Sequence, residues 1–201
     1  MCNACLPTPT QTRTETTDLF ADRLVEMLNQ GALALMVSIG HRTGLFDTLA
    51  ELPPSTTSDI AGRAGLEERY VREWLASMVV GGIVEYSPED NSYHLPAGHA
   101  ALLTRAATPD NIAVFAQYIG MLGHVEDRVV ECFRHGGGVA YEHYPRFDEV
   151  MAEDSGQTVL AALDEHILPL ADGLQQRLQQ GIRVLDVGCG RGRAILHLAE
   201  R

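Results

Sequence analysis

Apolar residues recur at helical spacing along most of this 201-residue chain, and the breaks in that spacing divide it. Phe20, Leu24, Met27, Leu28, Leu35 and Ile39 predict a long first helix, capped by Thr17 and with Gly31 as a weak point. Its apolar positions lie on more than one side, so it is expected to bury against a partner subunit as well as its own core. After Gly40 a second helix carries Leu45, Phe46, Leu49 and Leu52, and Pro53-Pro54 ends it. Thr56, Thr57 and Ser58 offer caps to a short helix with Ile60, Ala61 and Ala64, and Gly65-Leu66 makes a turn. Tyr70, Val71, Trp74, Leu75, Met78 and Val79 mark the next helix, closed by Gly81-Gly82. Ile83–Tyr86 and Ser92–Leu95 read as two strands around a polar turn. Helix, turn, helix and β-hairpin predict a winged helix over residues 17–104. The Thr- and Pro-rich residues 1–16 are expected to be a disordered tail.

Residues 105–180 read as a helical linker. Pro109-Asp110 opens a helix with Ile112, Val114, Phe115, Tyr118 and Ile119, and Val125, Val129, Val130, Cys132 and Phe133 mark another that Gly136-Gly137-Gly138 breaks. A loop through Tyr141, His143 and Tyr144 leads to Phe147, Met151 and Ser155, four residues apart in turn. A helix from Leu160 to about Leu178 then ends at Gly181. Ile182–Val187 is aliphatic enough for a strand buried on both faces. It breaks into Gly188, Cys189, Gly190, Arg191 and Gly192, and then into the helix-forming Ala194, Ile195, Leu196, Leu198 and Ala199. Strand, glycine-rich turn and helix is how an open α/β sheet offers backbone N–H groups to a ligand. A dinucleotide fingerprint would place its third glycine at position 193. Position 193 is Arg, the glycine comes one residue early, and Asp186 stands two residues before the first glycine.

Asp-Val-Gly-Cys-Gly-Arg-Gly resembles the first motif of the class I S-adenosylmethionine-dependent methyltransferases. Winged helix, helical linker and that motif, in this order, resemble the small-molecule O-methyltransferases and related bacterial methyltransferases. The resemblance implies a mainly α chain: an N-terminal winged-helix dimerisation domain, the linker, and from residue 181 the first β-strand and helix of a Rossmann-like α/β methyltransferase domain. It implies S-adenosylmethionine as cofactor, held by Asp186, Gly188, Cys189, Gly190 and Gly192, with Phe147, Met151 and Ser155 lining the cofactor and acceptor cleft. Phe147 and Met151, four apart, also fit a plain core pair. It further implies a small-molecule methyl acceptor, a homodimer formed through the N-terminal domain, and a catalytic base beyond residue 201. The chain is therefore expected to be the front part of such an enzyme, inactive at this length because one parallel strand forms no sheet.

Charge narrows the alternatives. The net charge is −12, and all 15 basic residues are Arg. On the helix that would read DNA, Arg69 and Arg72 stand among Glu67, Glu68 and Glu73. A transcription regulator is the competing class, and this acidic balance disfavours phosphate contacts. A non-catalytic dimerisation unit is the other. Cys2 and Cys5 have C-x-x-C spacing but no second ligand pair, so no metal site is expected. His124, His135 and His143 read as surface or packing residues. No signal peptide or membrane span is legible, and a cytoplasmic location is the expectation.

Overall fold

A computed structural model describes residues 16–200. The expected disordered tail, with Cys2 and Cys5, lies outside the described residues but for Thr16. The first helix, α1, spans Thr17–Thr43. Thr16, rather than Thr17, caps it, its Oγ1 accepting from the Leu19 N–H at 3.4 Å. Gly31 does not interrupt it, and the helix outruns Gly40 to end at Gly44, which takes the left-handed conformation (φ 75°). Gly40 stays inside because two rings press on it: an added Cβ would lie 2.4 Å from Trp74 Cζ2 and 2.8 Å from Phe46 Cε2.

Helices α2 (Leu45–Glu51), α3 (Thr57–Ala64) and α4 (Glu68–Val80) close around the core. Phe46, Ile60, Trp74, Leu75 and Met78 are buried there, with Trp74 and Phe46 edge to face at 5.2 Å between centroids. The Trp74 Nε1–H donates to the Met36 carbonyl at 2.9 Å, tying α4 to α1. Thr56 and Asp59 form a reciprocal capping box on α3.

Strands β1 (Glu85–Ser87) and β2 (Ser92–His94) pair antiparallel, with Tyr86 opposite Tyr93. They are shorter than the alternation predicts. Ile83 and Val84 still donate their N–H groups to the Met78 carbonyl and so belong to the end of α4. Helix α5 (Ala97–Leu103) follows, an element the periodicity did not reveal.

In the linker, α6 (Ala113–Gly123) starts later than Pro109, where Asn111 Oδ1 accepts from the Ala113 N–H at 3.1 Å. It packs along α1. Helix α7 (Glu126–His135) ends at Gly136 (φ 74°), and α8 spans Phe147–Ser155. The single helix expected from Leu160 to Leu178 is a correction. The backbone instead makes two wide π-type turns, Gly156–Leu160 and Leu163–Ile167, then a tight turn Leu168–Leu170. Pro169 lacks a backbone donor and Gly173 is left-handed (φ 70°), so only α9 (Leu174–Gln179) is regular.

Ile182–Val187 runs outside any helix or sheet among the described residues, with Leu185 and Val187 86% and 87% exposed. The burial expected of a strand is not reached, because a strand needs a neighbour to bond its backbone. Helix α10 (Arg193–Ala199) closes the described residues. No helix among them is long and apolar enough to cross a membrane.

Candidate functional site

Successive fourth residues of a helix stack on one face, so Phe147, Met151 and Ser155 form a stripe along α8. The stripe faces the glycine turn across a cavity of about 350 Å³. Phe147, Met151, Ser155, Asp186, Gly188, Cys189 and Gly190 all border it. Gly192 does not. It takes φ 71° just before α10, its N–H bonded to the Cys189 carbonyl at 2.8 Å. Gly188 (φ 78°) and Gly190 (φ 54°) are also left-handed, and a Cβ on either would meet nothing within 4 Å. Glycine is needed there for backbone conformation, and the space beside it stays open.

Other lining residues were not legible as site residues. Asp148 adds a second carboxylate, Val159 and Leu160 add apolar wall, and Arg191 and Arg193 add guanidinium groups. The arginines alternate with the glycines, which is the signal that could have found them. Arg193 also fixes the cavity's shape: it donates to the Ala152 carbonyl at 2.6 Å and lies against Gly156, so it fastens α10 to α8. His197 Nε2, 2.8 Å from Asp164 Oδ2, makes a second tie from α10.

Behind the stripe, a polar network holds α8 against α1 and α6. Glu153 Oε2 accepts from His41 Nε2 at 3.0 Å and from Gln117 Nε2 at 2.5 Å. Arg146 donates to Gln117 Oε1 at 2.9 Å and to Glu149 Oε2 at 2.8 Å. It does so from a left-handed backbone (φ 59°), uncommon for a residue with a side chain. The Arg146 hydrogen bond lowers the Glu149 pKa and the same pair raises that of Arg146. The Tyr118 hydroxyl donates to Asp154 Oδ2 at 2.6 Å and stands 3.1 Å from Met151 Sδ. Burial first, and then the bond to the Asp154 carboxylate and its charge, push the Tyr118 pKa up to about 12. Of the histidines singled out in the sequence, His135 pairs with Glu131 on the surface and His143 stands 3.8 Å from Glu142. The buried one, His41, was not singled out.

Residues 31–105 match the family model of the Rv2258c-like winged HTH domain. The described chain also superposes on solved methyltransferases. The mitomycin 7-O-methyltransferase MmcR is 19% identical with a TM-score of 0.62, over 91% of this chain and 56% of its own. The N,N-8-amino-8-demethyl-D-riboflavin dimethyltransferase RosA from Streptomyces davawensis is 21% identical, TM-score 0.55, over 90% and 55%. CalO1, a methyltransferase in calicheamicin biosynthesis in its SAH-bound form, is 20% identical, TM-score 0.53, over 92% and 56%. Over the described residues the fold is that of the matching part of these proteins, with a winged helix at residues 31–105. The chain spans little more than half the length of these proteins. No curated protein sequence matches it.

Proposed function

We propose that the chain is the N-terminal part of an S-adenosylmethionine-dependent methyltransferase acting on a small molecule. One observation carries this reading: α8 and the glycine turn, more than thirty positions apart, contribute seven of the eight resemblance-implied residues to a single cavity. The donor set fits the cofactor. Asp148 and Asp186 offer negative charge to a cationic ammonium and sulfonium, Phe147 and Met151 offer apolar contact, and the open faces of Gly188 and Gly190 admit a ligand against the backbone. S-adenosylmethionine, when bound, supplies a methyl group activated for displacement by a nucleophile. The part of this chain is then to orient that group and exclude water: Arg193 and the network on Glu153 hold the two walls in register.

The winged helix serves in this reading as a dimerisation and framing domain. The apolar side of α1, with Leu28 67% exposed, supplies surface for a second copy. Arg72 on α4 is engaged by Glu68 at 2.6 Å, which supports the case against DNA as the partner.

The test is a titration of the isotopically labelled 201-residue chain with S-adenosylhomocysteine, followed by NMR. Selective, saturable shifts of the Gly188, Cys189 and Gly190 amides, lost in Asp186→Ala, are expected. Shifts of the same amides with a nicotinamide dinucleotide but not with S-adenosylhomocysteine would overturn the assignment.

A further inference from the structure

Two arginines border the cavity between α8 and the glycine turn, and the structure uses them differently. Arg193 is committed: it donates to the Ala152 carbonyl at 2.6 Å and lies against Gly156. Arg191 makes no hydrogen bond or ion pair with any described residue. It also borders a neighbouring cavity of about 330 Å³, which shares Phe147 and Asp148 with the first. Its charge reaches Glu149 only at longer range, and that carboxylate is already taken by Arg146 at 2.8 Å.

The turn fixes where Arg191 stands. The Gly192 N–H donates to the Cys189 carbonyl at 2.8 Å, closing a tight turn with Arg191 inside it. Gly190 and Gly192 flank it with φ 54° and 71°. The backbone is thereby held beside the cavity, while the side chain is exposed and carries a guanidinium charged at any working pH. A guanidinium offers parallel N–H donors that match the two oxygens of a carboxylate. The ligand proposed for the cavity brings such a group, since its amino-acid end carries a carboxylate beside the ammonium. Asp148 and Asp186 suit the ammonium and repel the carboxylate. Of the two cations bordering the cavity, only Arg191 is still unbonded among the described residues.

We infer that Arg191 binds the carboxylate at the amino-acid end of the cofactor, and so selects the intact cofactor over one lacking that carboxylate. The inference rests on the methyl-transfer reading and adds to it a residue that sets which ligands the cavity accepts. A charged pair strengthens a hydrogen bond, whereas solvent at this exposed side chain weakens it. The pairing is therefore worth about tenfold in affinity.

S-adenosylhomocysteine and its decarboxylated analogue, each titrated into the labelled 201-residue chain and followed by NMR, test it. In the unaltered chain the Arg191 Nε–H signal should move with S-adenosylhomocysteine and stay in place with the analogue. Arg191→Gln should weaken S-adenosylhomocysteine about tenfold and leave the analogue as tight as before or tighter. Arg193→Gln unfastens α10 from α8, so it should weaken both ligands alike, which is how a merely structural arginine behaves. If Arg191→Gln leaves the ratio of the two affinities unchanged, the inference is overturned while the methyl-transfer reading stands. An Nε–H signal that ignores S-adenosylhomocysteine, or answers both ligands equally, has the same meaning and needs no variant. Failure of either ligand to bind the unaltered chain overturns both readings.

Discussion

Replacing Gly40 by Ala adds one methyl group where the structure leaves no room for it. The new Cβ would stand 2.4 Å and 3.0 Å from Trp74 Cζ2 and Cε2, and 2.8 Å from Phe46 Cε2. Neither ring can yield cheaply. Trp74 is held by its bond to the Met36 carbonyl, and both rings are almost wholly buried. Overpacking a core costs about 1–3 kcal/mol. If Trp74 shifts far enough to lose Met36, a further ~1–3 kcal/mol follows from the unpaired buried groups. Ala gains about 1 kcal/mol over Gly inside a helix. The net expectation is a loss of about 0–2 kcal/mol if the Met36 bond survives and about 1–5 kcal/mol if it does not, against the 5–15 kcal/mol of an ordinary domain. The assay is urea unfolding followed by far-ultraviolet circular dichroism, with Gly31→Ala as the control. Gly31 lies in the same helix with nothing within 4 Å of its added Cβ, so that variant should gain up to about 1 kcal/mol. The effect at Gly40 should also reach α8, since the next residue, His41, holds Glu153. A Gly40→Ala protein as stable as the control would refute the packing argument.

Two further outcomes are expected. Tyr118 has its pKa raised from 10 to about 12, so its neutral form stabilises the fold fully below pH 10 and that contribution is lost as pH rises towards 12. Two pKa units correspond to at most about 2.7 kcal/mol, and partial solvent exposure reduces this to roughly 1 kcal/mol. Tyr118→Phe should therefore be less stable below pH 10 and lose less than the unaltered chain across that window; equal losses in urea midpoint would contradict the raised pKa. At micromolar concentration the chain should sediment as a dimer and Leu28→Glu as a folded monomer. A monomer in both cases would show that α1 is not the contact.

The winged helix was legible because each signal there is local and mutually consistent. Gly65 ends α3 as a left-handed cap, Trp74 and Leu75 fall on the buried side of α4, and the polar turn separates β1 from β2. The wall of the candidate cavity was legible for a similar reason, as the four-residue spacing of Phe147, Met151 and Ser155 survives in α8. The stretch from Leu160 to Leu178 was misread as one regular helix because its apolar content is helical throughout, while the backbone widens into π-type turns up to Ile167 and Pro169 and Gly173 then interrupt the hydrogen-bond ladder. His41, Gln117 and Glu153 could not be found from spacing at all: they meet only once α1, α6 and α8 are packed. Ile182–Val187 has the composition of a buried strand, yet composition supplies no neighbour.

Trp74 is the single tryptophan of the chain. Its indole is enclosed between α1 and Phe46, so its fluorescence reports on the winged-helix core alone and stays silent about the glycine turn. The six tyrosines divide evenly, with Tyr70, Tyr86 and Tyr93 in the winged helix and Tyr118, Tyr141 and Tyr144 in the linker. In a chain with Tyr70, Tyr86 and Tyr93 replaced by Phe, emission excited at the indole, set beside the remaining tyrosine signal in one denaturation series, reads the two parts of the chain separately. It would show directly whether α8 and its cavity come apart before the domain that frames them.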